Sequence, residues 1–364
     1  MSFTEADVLS ALKNLPDPNT KKDFVSGKSV KNIKISGNDV SLDILLGYPA
    51  KSVWGEIQHM VEAHLKTVLS GVGKVNANVT SKVVPHAVQR GVKLVEGVKN
   101  IIAVASGKGG VGKSTTAANL ALALAAEGAR VGVLDADIYG PSQPTMLGIE
   151  GHPDSADGKT MSPMTNHGLQ VMSIGFMIEA DDTPMVWRGP MVTQALEQLL
   201  RQTRWDNLDY LVVDLPPGTG DIQLTLAQKV PVTGAVIVTT PQDIALMDAR
   251  KGLKMFEKVD VKIIGIVENM STHICSKCGH EEHIFGAGGG EKMCADYNVE
   301  FLGGLPLDIH IREQADSGKP TVVAEPDSNV AKVYKQIARR VAVKIAEMAQ
   351  DHSAAFPKIV VQNT

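Results

Sequence analysis

The stretch SGKGGVGKST, residues 106–115, places glycines, hydroxyl side chains and two lysines within ten positions. Gly107, Gly112, Lys113 and Ser114 satisfy the phosphate-loop pattern G-x-x-x-x-G-K-[ST]. In such a loop, backbone N–H groups point at phosphate oxygens, the lysine neutralises phosphate charge and the hydroxyl ligates Mg²⁺. The residues that we expect to contact the nucleotide are Gly107, Gly109, Gly110, Gly112, Lys113, Ser114 and Thr115.

Carboxylates follow two apolar runs further along the chain. RVGVLDAD ends with Asp135 and Asp137, and YLVVDLPPG contains Asp214. If both runs are parallel strands, their carboxyl ends meet at the edge of the sheet where ligands bind. We therefore expect these side chains near the phosphates, with Asp214 as the partner of Mg²⁺. An aspartate that ends a strand is also a common helix cap, which is the simpler alternative.

The segment CSKCG contains a close thiol pair, Cys275 and Cys278. This spacing lets two thiolates converge on one centre. An iron–sulfur cluster usually has four thiolate ligands, which a two-fold dimer could supply by bringing two such pairs together. A zinc knuckle within one chain is equally compatible with the spacing, and a redox pair is a weaker third reading. The knuckle would add two ligands from His280, His283 and Cys294, although Cys294 is expected to be a buried apolar residue on a helix.

Composition excludes several classes of protein. The chain has 364 residues, a net charge of −4 and three cysteines. This length suggests about two domains. The charge gives no reason to expect nucleic acid as a partner, and an odd, sparse set of cysteines is not a disulfide framework. The N-terminus has no signal-peptide pattern, and no apolar run approaches the roughly 20 residues of a membrane helix. We expect a cytoplasmic protein with no stable membrane association.

The first part of the chain predicts a small α+β domain over residues 1–83, ahead of a linker over 84–98. A Gly37-Asn38 turn between two alternating runs predicts a hairpin. Helical spacing before and after it, and one later apolar alternation, complete an α-β-β-α-β order. The expected helices cover 4–14 and 51–70, and the expected strands cover 30–36, 39–47 and 75–83.

From residue 99 the pattern changes to apolar runs that alternate with helical stretches. Such runs are typical of parallel strands buried on both faces. We therefore predict an α/β P-loop NTPase domain over residues 99–350, with a mostly parallel sheet flanked by helices and carrying the CxxC pair. Residues 351–364 are expected to be a C-terminal tail. The runs are NIIAVAS, RVGVLDAD, YLVVDLPPG, GAVIVTTPQ and KIIGIVENM.

The loop K-G-G-V-G-K-S, with its extra Lys108, resembles the deviant phosphate loop of the MinD/ParA/Mrp group of dimeric ATPases. The resemblance implies that Lys108 reaches the ATP held by the partner subunit. The simpler alternative is an ordinary loop lysine that is exposed to solvent. It also implies that Asp137 orients the attacking water and that the PPGTGD loop senses the γ-phosphate near Gly218. Asn269, which ends KIIGIVEN, is the candidate for recognising adenine, although an asparagine in this place is as often a plain turn residue.

Several motifs together resemble the Mrp/ApbC family of iron–sulfur cluster carrier proteins, over roughly residues 99–325. They are SGKGGVGKST, DADIYGPS, VWRGPM, DLPPGTGD, TTPQDIALMDARKG, VENMS, CSKCG and HIFGAGGG. The first 83 residues resemble a domain that is often fused to, or partnered with, iron–sulfur assembly factors. That domain often has a cysteine before its second helix, and GYPAKS, residues 47–52, has none.

The resemblance implies an ATP-hydrolysing homodimer that requires Mg²⁺ and holds a [4Fe–4S] cluster between subunits. Its partners would be apo iron–sulfur proteins and a cluster assembly scaffold. One alternative is a MinD/ParA-type spatial organiser, which the basic amphipathic stretch 329–348 favours. Such a stretch more often packs on its own sheet. Another alternative is a zinc-binding ATPase with a different client.

Overall fold

The structure is a computed structural model and describes residues 3–89, 92–177, 189–275 and 277–348. Residues 186–188 of the VWRGPM motif lie outside these ranges, and so does the whole tail at 351–364.

The N-terminal unit is a three-stranded sheet with two helices. The side chain of Thr4 accepts from the Asp7 backbone N–H, and the Asp7 side chain accepts from the Thr4 N–H, so the first helix begins with a capping box. The first two strands form the predicted hairpin, and the third pairs in parallel with the second. The α-β-β-α-β order is confirmed. The elements are α1 Glu5–Leu12, β1 Val30–Ser36, β2 Asp39–Leu46, α2 Trp54–Val68 and β3 Val75–Ser81.

A second sheet forms the centre of the remaining chain and has nine strands among the described residues. Its strands are β4 Val98–Ala105, β5 Val131–Asp135, β6 Met164–Asn166, β7 Leu169–Ser173, β8 Leu208–Asp214, β9 Gly234–Thr239, β10 Ile263–Ile274, β11 Glu281–Glu282 and β12 Phe301–Pro306. The spatial order is β11-β10-β9-β4-β8-β5-β7-β6, and β12 pairs with β10. Only β6 and β11 run antiparallel to their neighbours in this sheet. The predicted, mostly parallel sheet is therefore confirmed.

Helices flank this sheet, as the alternating pattern predicts. They are α3 Lys113–Ala126, α4 Gln143–Met146, α5 Gly189–Gln202, α6 Asp221–Lys229, α7 Asp243–Lys258, α8 Gly289–Tyr297, α9 Ile309–Asp316, α10 Thr321–Ala324 and α11 Asn329–Ala346. The apolar face of α11, which includes Tyr334, Ile337 and Val341, is buried against α3 and β12. This packing accounts for the amphipathic pattern of α11 without a membrane.

The parallel pairing fixes where the chemistry must lie. β4, β5, β8, β9 and β10 all run in the same direction. Their carboxyl ends therefore share one edge of the sheet, where the phosphate loop, the acidic residues and the thiol pair follow in the chain. We call this edge the carboxyl edge.

Candidate functional site

The phosphate loop connects β4 to α3. Gly112 has a φ of +80° and precedes the first residue of α3. A side chain at this position would be strained and would overlap the Asn269 amide. A Cβ at Gly107 would overlap the backbone of Asp248 in the second turn of α7. Both glycines are therefore required by close approach as well as by the turn.

A cleft of about 310 Å³ opens over this loop. The expected contact residues Gly109, Gly110, Gly112, Lys113, Ser114 and Thr115 line it, together with Lys108 and Asp137. Because α3 begins here, its first N–H groups face the cleft and favour an anion. The structure brings these predicted residues together, and Gly107 lies at the base of the loop.

The Lys113 ammonium is surrounded by three oxygens. It donates to Asp214 Oδ1 at 2.5 Å and to Ser114 Oγ at 3.1 Å, and Asp137 Oδ2 lies 3.9 Å away. Asp214 is fully buried. Carboxylate and hydroxyl oxygens around a cation are the donor set that Mg²⁺ prefers. The residues therefore fit Mg²⁺, with Ser114 and Asp214 as the groups that would hold it while Lys113 turns to the phosphates.

Two carboxylates lie at the carboxyl end of β5: Asp135 is its last residue, and Asp137 follows two positions later. Asp135 is fully buried and accepts from the backbone N–H groups of Ser142 and Gln143 at 3.0 Å each. Burial, followed by the charge of Asp214, raises the pKa of Asp135 to about 7. Asp135 thus holds the 137–143 segment in place. Asp137 lies in the cleft, and burial raises the pKa of its carboxyl group.

Sequence reasoning missed Gln143. Its Nε2 donates to the Ser114 carbonyl at 3.0 Å and to Asp214 Oδ2 at 2.9 Å, so one amide joins the phosphate loop to the carboxylate that is expected to bind Mg²⁺. Its Oε1 is buried and has no hydrogen-bond partner among the described residues. An orphaned acceptor here suits a water bound to Mg²⁺. The only sequence signal is a glutamine eight positions after Asp135, which gives no indication of this contact.

Replacing Gln143 by leucine should weaken Mg²⁺ binding to the nucleotide complex by about tenfold, because groups that orient metal ligands typically contribute this much. The effect is measured by titrating Mg²⁺ into the protein–ADP complex in a calorimeter. Gln89→Leu is the matched control, since the Gln89 amide also donates one backbone hydrogen bond and has a buried, unpartnered Oε1. Equal magnesium affinities in both variants would contradict the role of Gln143.

Three further predicted residues surround the loop. Lys108 lines the cleft, and its ammonium makes no ion pair or hydrogen bond within the described part of the chain. The Gly218 N–H donates to the Ser106 carbonyl at 3.0 Å, so sensing a γ-phosphate would require it to exchange partners. Asn269 Nδ2 donates to the Val111 carbonyl at 2.9 Å. Asn269 therefore holds the phosphate loop, and adenine recognition stays a prediction.

The thiol pair lies at the end of β10, which extends past the body of the sheet and turns into β11. Cys278 is exposed and Cys275 is partly exposed. The Cys275 N–H donates to the His280 carbonyl at 2.9 Å, and the Gly279 N–H donates to the Cys275 carbonyl at 2.8 Å. Hydrogen bonds from the backbone N–H groups of Lys277 and Cys278 lower the pKa of the Cys275 thiol. The turn thus presents two thiols to solvent and favours a thiolate.

Cys294 lies away from this turn. It is buried in α8, in a cluster with Ile266 and Met293. Burial, followed by nearby glutamates, raises its thiol pKa to about 12, so it stays protonated. Its prediction as a buried apolar residue on a helix is confirmed. The described residues contain no group of three or more histidine, cysteine or acidic side chains placed to hold one metal ion.

Two family matches cover most of the chain. Residues 97–342 match a ParA family described as "NUBPL iron-transfer P-loop NTPase". Residues 5–79 match a family described as "Iron-sulfur cluster assembly protein". The chain is 51% identical over 341 residues to the iron–sulfur cluster carrier protein of Escherichia coli K12, covering 93% of this chain and 92% of the relative. The chain belongs to the Mrp/ApbC family of iron–sulfur cluster carriers.

Other relatives agree with this assignment. The carrier of Synechocystis sp. is 47% identical over 354 residues, which cover 96% of this chain and 99% of the relative. The mouse protein "Iron-sulfur cluster transfer protein NUBPL" is 55% identical over 251 residues, covering 68% of this chain and 78% of the relative. As a member of this family, the chain is an iron–sulfur cluster carrier.

Solved structures support the fold of the Mrp/ApbC-family NTPase domain. A nucleotide-binding protein from Archaeoglobus fulgidus in complex with ADP is 36% identical, with a TM-score of 0.57, over 65% of this chain and 92% of that chain. The Pyrococcus furiosus cell division ATPase MinD is 24% identical, with a TM-score of 0.51, over 66% of this chain and 98% of that chain. The latter likeness concerns the fold alone. No helix in the described ranges is long and apolar enough to cross a membrane.

Proposed function

We propose that this Mrp/ApbC-family carrier hydrolyses ATP as a homodimer and holds its iron–sulfur cluster between the two subunits. The observation that carries the proposal is the common location of Lys108 and the CxxC pair at the carboxyl edge. Within the described residues the Lys108 ammonium has no ion pair or hydrogen bond, and Cys275 and Cys278 would supply half of a four-thiolate set. One two-fold axis next to this edge would supply both missing parts.

Exposed apolar side chains at the same edge support a protein partner there. Each lies at the end of a strand or in the segment that follows it, and each is at least half exposed. Such residues, when grouped, mark interaction surfaces. They are Tyr139, Ile244, Met247, Ile274 and Ile284.

The chemistry follows from the cleft. Mg²⁺, held by Ser114 and Asp214, would neutralise phosphate charge while Lys113 binds the β- and γ-phosphates. Asp137, inside the cleft, would orient the attacking water. Lys108 of the second subunit would place positive charge where it develops during phosphoryl transfer. Asn269 joins β10 to the phosphate loop, so a change of bound nucleotide would shift the strand that ends at the thiol pair. This shift would govern release of the cluster to client proteins and its receipt from a scaffold.

Anaerobic reconstitution tests the proposal. The protein should take up about four irons and four sulfides per two chains, with broad absorption near about 400 nm, and native mass analysis should find a dimer. The same protein kept free of iron provides the baseline mass. Full zinc occupancy without iron uptake would favour a zinc-binding ATPase, and a monomer loaded with iron would contradict the shared site.

A further inference from the structure

The N-terminal unit rests on the far end of the phosphate-loop helix. α3 begins at Lys113 in the nucleotide cleft and ends at Ala126, which is about 21 Å along the axis at 1.5 Å per residue. The next residue, Glu127, accepts at its backbone carbonyl from the Lys51 N–H at 3.0 Å. Nucleotide and N-terminal unit therefore meet opposite ends of one helix.

The side chain of Glu127 is the centre of this contact. It is fully buried and accepts from the Ser52 N–H at 3.0 Å, from Ser52 Oγ at 2.6 Å and from Arg339 Nη1 at 2.6 Å. A carboxylate at a helix C-terminus is disfavoured by the helix dipole, and its burial costs free energy unless it is paired. We call Ser52, Glu127 and Arg339 the latch. It depends on donors from both units.

The docking loop is GYPAKS, residues 47–52. Here Tyr48 donates to Asp17 at 2.7 Å, Ala50 is fully buried and Ser52 belongs to the latch. The loop therefore packs into the N-terminal unit at Tyr48 and contacts Glu127 of the NTPase domain through Lys51 and Ser52.

The contact between the two units leaves one buried hydrogen-bond donor without a partner among the described residues. Arg339 Nε is buried and finds no hydrogen-bond partner among the described residues. A cleft of about 500 Å³ lies beside it, between the 18–21 loop and α11. An unpaired buried donor lowers the stability of the arrangement that contains it. The latch therefore includes one buried donor that the described residues do not satisfy.

We propose that the latch couples nucleotide binding at the start of α3 to docking of the N-terminal unit at its end. Phosphates bound by the first turn fix the position of α3, and the rigid helix carries that position to Glu127. Docking then favours nucleotide binding, and by linkage nucleotide favours docking by the same factor. This coupling between nucleotide binding and docking goes beyond the proposed function, because it requires nucleotide binding but neither a cluster nor a dimer.

Ser52→Ala in the full chain tests the coupling, because it removes one latch donor far from the cleft. We expect ADP to bind on the order of fivefold more weakly, the lower range of typical coupling between sites. Lys22→Ala is the matched control: it breaks the exposed 2.9 Å ion pair with Glu347, which also joins the two units but does not involve α3. Calorimetry should show that Lys22→Ala binds ADP with wild-type affinity.

Hydrogen exchange in the wild type gives a second measurement that needs no variant. The amides of Lys51 and Ser52, which donate to Glu127, should exchange about fivefold more slowly with Mg-ADP than without it. Equal exchange in both conditions, or wild-type ADP affinity in Ser52→Ala, would overturn the coupling. A wild type that binds no ADP would instead contradict nucleotide binding itself, which keeps the two failures distinct.

Discussion

Replacing Lys108 by alanine is expected to lower kcat for ATP hydrolysis by about 10³-fold while ADP affinity stays within about twofold of the wild type. Lys113, Ser114 and Asp214 lie together in one chain and supply the ground-state contacts. The Lys108 ammonium has no partner within the described ranges of that chain. A group that acts only in the transition state changes kcat rather than nucleotide affinity. Steady-state turnover and calorimetry with ADP measure the two quantities.

Lys113→Ala is the contrasting variant. Its ammonium lies in the cleft among the oxygens of Ser114, Asp137 and Asp214, so its loss should weaken nucleotide binding itself. Wild-type turnover in Lys108→Ala would show that Lys108 is an ordinary loop lysine.

Mixing two inactive variants distinguishes action in trans from action in cis. A dimer of one Lys108→Ala chain and one Asp137→Ala chain has one site with Asp137 intact and Lys108 supplied by the other subunit. Random mixing should then restore about a quarter of wild-type turnover, since half of the dimers are mixed and each has one intact site. If Lys108 acts within its own chain, neither site is complete and mixing restores nothing.

The fold could be predicted from the sequence because the inner strands of the central sheet, such as β5, β8 and β9, are buried on both faces. The strands in YLVVDLPPG and GAVIVTTPQ are continuously apolar over YLVV and GAVIV before their polar ends, and a covered parallel sheet needs such strands. The short strands at the edges of the sheet were not predicted from the sequence. β6 has three residues and β11 has two, and these lengths give no periodicity to detect. The helix predicted from residue 51 begins as a 3-10 turn over Lys51–Val53, because that turn makes the contact with Glu127.

Motif residues were predictable, and the residues that hold them were not. The phosphate pattern locates Lys113 and Ser114 because their spacing is set by local backbone geometry. Gln143 and the latch depend on contacts between distant parts of the chain, and Ser52 and Arg339 stand 287 positions apart. Nothing at Glu127 distinguishes it from a surface glutamate in sequence, because its burial results from the docked N-terminal unit.

Replacing both Cys275 and Cys278 by alanine should abolish iron uptake. We expect about four irons per two chains to fall to about zero, because each subunit then supplies no thiolate. ADP affinity should be unchanged, since both cysteines lie outside the nucleotide cleft. Iron and sulfide assays after anaerobic reconstitution, with calorimetry for ADP, measure both quantities.

Cys294→Ala is the matched control for the thiol pair. It removes one thiol from the same chain, but that thiol is buried among apolar side chains and stays protonated, whereas Cys275 is partly exposed and its pKa is lowered. Only a thiolate binds iron, so this variant should keep its iron even if the loss of packing lowers its stability. Iron uptake that disappears in Cys294→Ala but persists without Cys275 and Cys278 would move the cluster away from the carboxyl edge and remove the reason for a shared site.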